Sequence, residues 1–168
     1  MPTTPTDIAA TTAAHLEQSL GPLVQVSVAS DPYNVYERLM VQPTGALCVV
    51  HWGGDRQEGR DYRSPRVRAQ IEVYLSRGKG LAREPGRHLV QADAGTGEPA
   101  FLDLVEELRQ AVLAVRYAPS GDADHMPDNR PHYISTEPVP MPDGMPLSAY
   151  KLTFGLYHAI TAPSFLGG

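Results

Sequence analysis

Cysteine is almost missing from this chain. Cys48 stands alone among 168 residues, so no disulfide can close within one copy and no multi-cysteine metal site can be built from it. Folding must rest on packing. Long apolar runs are missing as well: no stretch approaches the roughly 18 residues that a membrane helix requires, and Met1 to Ala10 holds no basic segment followed by an apolar one. The expectation is a protein made in the cytoplasm, not exported by a conventional signal, with no membrane partner. Positive charge is in short supply, since 14 Lys and Arg face 19 Asp and Glu for a net charge of -5. Nucleic-acid binding over the whole surface needs Lys and Arg to displace phosphate counterions, which leaves at most a local basic patch. There is no internal repeat and no heptad run. What the chain has in excess is turn, with 16 Pro and 15 Gly, and its length suits one domain around a single core.

Between Pro65 and Ser76 apolar and polar residues alternate without a break. Side chains of a strand point to opposite faces in turn, which sends Val67, Ala69, Ile71, Val73 and Leu75 to a core and Arg66, Arg68, Gln70, Glu72 and Tyr74 toward water or a partner. Ahead of this strand, Ile8, Thr12, Leu16 and Leu20 predict a helix with Asp7 as its cap and Gly21-Pro22 as its stop. Leu23 to Val28 reads as a short strand, and Tyr33 to Met40 is ambiguous, one helical turn or two. Ala46 to Trp52 is a nearly continuous apolar run, a strand buried on both faces, ended by Gly53-Gly54. A hydrophilic excursion over Gly53 to Ser64 follows.

After the alternating strand, Arg77 to Pro99 is predicted as a long loop. Phe101, Leu104, Leu108, Val112 and Val115 have helical spacing behind Pro99, with Asp103, Glu106 and Glu107 early, where the helix dipole favours them. Ala118 to Pro131 is a second loop and His132 to Val139 a strand. Leu147 to Ile160 alternates two half-apolar sets, as a central strand or a covered edge strand would. The predicted fold is α+β in a single domain spanning 1–168, with 1–6 flexible and long loops at 77–99 and 118–131. Its mixed or mainly antiparallel sheet has about four to six strands, packed with two helices on one face.

Candidate chemistry is sparse. Asp122, Asp124, His125, Asp128 and His132 form the best metal-like cluster, but His125, Met126 and Pro127 break the alternation and closing Glu that a calcium loop needs. A small metal-dependent enzyme using His125 and His132 is the alternative reading of a different class. His51 ends a buried strand with no Ser or Cys nucleophile in an elbow near it. Cys48, between Leu47 and Val49, reads as an inert buried thiol. Gly78, Gly80 and Gly86 lack phosphate-loop spacing. Arg77, Lys79, Arg83 and Arg87 read instead as a basic arm that meets a partner, an acidic surface or nucleic acid. No catalytic residue, metal or cofactor is assigned, and the expectation is a non-enzyme.

The order of these elements from Ile8 to Ile160 resembles the tail terminator family of tailed bacteriophages, including minor tail protein U-like and Mu-type members. The likeness lies in the opening helix ending at Gly21, the strand Ala46 to Val50 running into His51-Trp52-Gly53-Gly54, and the strand Val67 to Leu75. The helix Phe101 to Val115 and the closing strand Tyr150 to Ile160 complete it. This resemblance implies a virion protein that caps the tail tube, ends its elongation and forms the joint to the head connector. Head-tail joining or tail completion is the related alternative. Family members act as rings, commonly hexamers, so the implied partners are further copies, the tail tube protein, the sheath and the head connector, with nucleic acid met only in passage through the ring. A ring needs a heterologous interface. The residues suited to it are Arg56, Glu58, Arg60, Asp61, Arg63, Arg66, Arg68 and Glu72, with Arg77, Lys79, Arg83 and Arg87 as a partner-contacting loop.

Overall fold

The first helix, α1 (Pro5–Leu20), begins at a reciprocal cap: the Thr4 hydroxyl accepts from the Asp7 N–H at 3.1 Å, and the Asp7 carboxylate accepts from the Thr4 N–H at 3.0 Å. Two donors left open by the first turn are thereby satisfied, and Pro5 has none to satisfy. The cap is therefore Thr4, not Asp7, and the hydrogen bonds from Thr4 hold the Asp7 carboxyl below its ordinary range. Ile8, Thr12, Leu16 and Leu20 are all buried, as their fourfold spacing predicts.

The computed structural model describes residues 4–29, 31–40, 45–58, 66–78, 87–92, 97–117, 130–142 and 147–159. After α1 come β1 (Val24–Ala29), α2 (Pro32–Met40), β2 (Ala46–Glu58), β3 (Arg66–Gly78), the short α3 (Arg87–Val90), α4 (Phe101–Leu113), β4 (His132–Pro138) and β5 (Leu147–Ala159). The strands form one sheet in the order β1-β2-β3-β5-β4, with β1 parallel to β2 and every other pair antiparallel. The fold is α+β with a mixed, mainly antiparallel sheet. The alternating strand is its middle strand.

One face of the sheet packs against α1 and α4. Ala69, Ile71, Val73 and Leu75 of β3 and Leu152, Phe154 and Leu156 of β5 meet Ile8, Leu16, Phe101, Leu104 and Leu108 there. The other face carries a smaller cluster, in which Val35 and Leu39 of α2 cover Ala29, Leu47 and Val49, with Tyr74 and Met141 packed alongside. The segment read as one or two helical turns is a helix of nine residues: Asp31 accepts from the Asn34 N–H at 2.8 Å, and the Arg38 guanidinium donates to Asn34 Oδ1 at 2.9 Å.

Two boundaries differ from the sequence expectation, and one alternative is decided. β2 runs on past Gly53-Gly54 to Glu58, because a bulge between Trp52 and Gly54 absorbs one residue and re-enters register at Gly54 opposite Gln70. Gly54 has φ +103° there, a conformation that side-chain-bearing residues rarely adopt. β3 continues through Arg77 to Gly78, held between Ala46 on β2 and Ser148 on β5. β5 pairs with β3 on one side and β4 on the other, so it is an interior strand.

Candidate functional site

Sheet register sets out the face opposite α1 and α4. Tyr74, Glu72, Gln70 and Arg68 of β3 stand beside Val49, His51, Gly54 and Arg56 on β2, and beside Lys151, Thr153, Gly155 and Tyr157 on β5. β4 adds His132, opposite Gly155, and Glu137, opposite Lys151. α2 and Met141 close the end near Tyr74. The remainder is mostly polar: His51 and Thr153 are buried, while Arg68, Gln70 and Glu72 of β3 are half-buried, as the alternation from Arg66 to Leu75 predicts.

The polar side chains on this surface lie down along the sheet. Gln70 donates to Glu72 Oε1 at 3.1 Å, and the Tyr74 hydroxyl donates to Glu72 Oε2 at 2.8 Å. Burial first, then this bond to a carboxylate, pushes the Tyr74 phenol well above its ordinary range. The stems of Gln70 and Glu72 rest against Gly53. Further along, the His132 ring stacks on Tyr157 with centroids 5.1 Å apart and 18° between planes. A Cβ at Gly155 would stand 2.4 Å from His132 Cε1 and 3.0 Å from Arg68 Cδ. Only glycine leaves room for both side chains to lie flat over β5. The result is a polar platform on this face of the sheet.

Gly155→Val tests that geometry. The branched side chain must displace His132 from Tyr157 and lift Arg68, and an overpacked site of this kind costs about 1–3 kcal/mol. Chemical denaturation reads the loss, while an unchanged midpoint would show that the His132 ring is not seated over Gly155.

The sequence-predicted contact residues divide. Arg56 faces Arg68 across β2 and β3, and Glu58 stands opposite Arg66 in the same register. Glu72 is engaged by Gln70 and Tyr74. Arg60, Asp61, Arg63, Lys79 and Arg83 lie outside the described residues, and Arg87 begins α3. Arg77 is not the loop residue expected: it is 5% exposed in β3, its guanidinium donates to the Pro99 carbonyl at 2.7 Å and it lies 5.2 Å above the Phe101 ring. Because the strand continues to Gly78, this side chain turns inward and ties β3 to the start of α4.

A cleft of about 660 Å³ opens beside Arg77, lined by Glu17, Gln25, Glu98, Pro99 and Leu104 among others. His51 is buried, with Nδ1 3.4 Å from the Ala29 carbonyl. Cys48 is fully enclosed, and burial pushes its thiol up to about 12, which keeps it protonated and unreactive at neutral pH. Among the described residues no three His, Cys, Asp or Glu are grouped to hold a metal ion. Of the acidic and histidine cluster in the sequence, Asp122, Asp124, His125 and Asp128 fall outside those residues. Among the described residues no helix is long and apolar enough to cross a membrane.

The platform is what sequence reasoning missed in part. Its β3 row is legible from period two, but the contributions of Gly155, His132 and Tyr157 depend on contacts between distant strands. No known family matches this chain, and no curated protein matches it.

Proposed function

We propose that the protein is a structural, non-catalytic subunit of a bacteriophage tail, or of a prophage or tail-derived particle. It assembles as a ring of six, caps the tail tube, ends elongation and joins the tail to the head connector. The observation that carries this reading is the polar platform on a sheet whose other face packs against α1 and α4. A half-buried face of mixed charge fixes register and partner choice in protein contacts. The order of elements that resembles the tail terminator family is the second support.

Deletion of the gene from its phage, followed by electron microscopy, tests the proposal. Tails should become irregular and overlong and fail to join heads. Tails of normal length, joined to heads, would overturn it.

A further inference from the structure

The sheet order leaves β1 and β4 as outer strands at opposite ends, and among the described residues no strand pairs with the outward backbone of either. Open edges of this kind are templates for a further strand. β1, with the sequence VQVSVA, carries no charge, proline or bulge to blunt it. Exposed apolar side chains stand on and beside it, with Val28 39% exposed and Leu23, just before it, 42% exposed. β4 also bears exposed apolar side chains, with Tyr133 39% and Ile134 41% exposed, but it is the better guarded edge, with a bulge at Ile134 and with Glu137 and Pro138 at its end. The strands are six and seven residues long.

Chain direction decides how they can meet. β1 runs with β2, β3 runs against β2, β5 runs against β3, and β4 runs against β5, so β1 and β4 point in opposite directions. Rotation about an axis along the strands preserves those directions in every copy. β4 of one copy then meets β1 of the next antiparallel, the arrangement whose hydrogen bonds run perpendicular to the strands. Each copy uses two different patches, as a closed ring requires.

We infer that the ring is closed by antiparallel pairing of β4 in each copy with β1 in the next. This rests on the ring proposed above and names its joint. It also sets all platforms on one side of a continuous sheet, so Arg68, Gln70 and Glu72 of every copy face the lumen together or the outer wall together, and not the neighbouring copy.

Two charged edge variants test the joint. Val28→Lys blocks β1 and Ile134→Lys blocks β4, and both positions are exposed enough for lysine to be accepted. Each variant alone should sediment as a monomer with unchanged circular dichroism. An equal mixture should give dimers and nothing larger, since one intact β4 still finds one intact β1. Leu23→Lys replaces Val28→Lys should that variant unfold. Rings formed by either variant alone would overturn the edge joint and leave the ring reading standing. Dimers from one variant alone would mean that an edge pairs with itself, which also overturns it. A monomeric parent protein would remove both.

Discussion

Phe101→Ala lowers the unfolding free energy by about 3–5 kcal/mol, the cost of emptying a fully buried aromatic site. Phe101 is 0% exposed at the first position of α4, where it packs into the main core. Two further contacts depend on its ring. Tyr150 of β5 sits 6.0 Å away, and the Arg77 guanidinium lies over its face. With the ring gone, Arg77 keeps its bond to the Pro99 carbonyl but loses the aromatic surface that helps compensate its burial. Against a total stability of about 5–15 kcal/mol for a domain of this kind, such a loss is a large fraction. Urea unfolding should show a lower midpoint with an unchanged slope. Phe101→Leu should cost clearly less, because it keeps the apolar volume. A loss below about 1 kcal/mol for the alanine variant would contradict the placement of α4.

The second large effect is alkaline. Cys48 and Tyr117 are each pushed up to about 12 by burial, from ordinary values of 9.0 and 10.0, and Tyr74 is raised further by burial and by Glu72. In each case the folded protein holds the proton more tightly than the unfolded chain. Stability is therefore full below about pH 9, where both states are protonated, and falls as pH rises, because only the unfolded chain releases protons. Each fully buried group contributes a loss of about 1.4 kcal/mol per pH unit above its unfolded value. Cys48 alone then accounts for about 2 kcal/mol near pH 10.5. Denaturation midpoints measured between pH 8 and 11 should decline with steepening slope, and Cys48→Ala should flatten that slope by close to one proton. A midpoint that stays level to pH 11 would mean that the thiol is reached by water.

Much of this architecture is legible from periodicity. The fourfold stripe of α1 and the alternation in β3 report burial directly, because one face of each is apolar over several turns or pleats. The failures have a common cause in contacts between residues far apart in sequence. Gly53-Gly54 reads as a stop in isolation, yet pairing with β3 carries β2 through a bulge to Glu58. Arg77 beside Gly78 reads as the start of a loop, but Pro99 and Phe101 offer its guanidinium a carbonyl and an aromatic face. Gly155 is silent as a lone glycine in a strand, since its meaning depends on His132 and Arg68. The parallel pairing of β1 with β2, which turns β1 into an outer edge, has no local signature. The platform was therefore half visible: its β3 row stands in the alternation, and its β4 and β5 rows arise only when the sheet assembles.

The central claim is that this chain acts as a closed ring of identical subunits. Native mass spectrometry of the purified full chain, at concentrations up to those used for assembly, measures it most directly. The account predicts one discrete species at six times the chain mass, with smaller species only on dilution. A strictly monomeric protein across the whole range would contradict it.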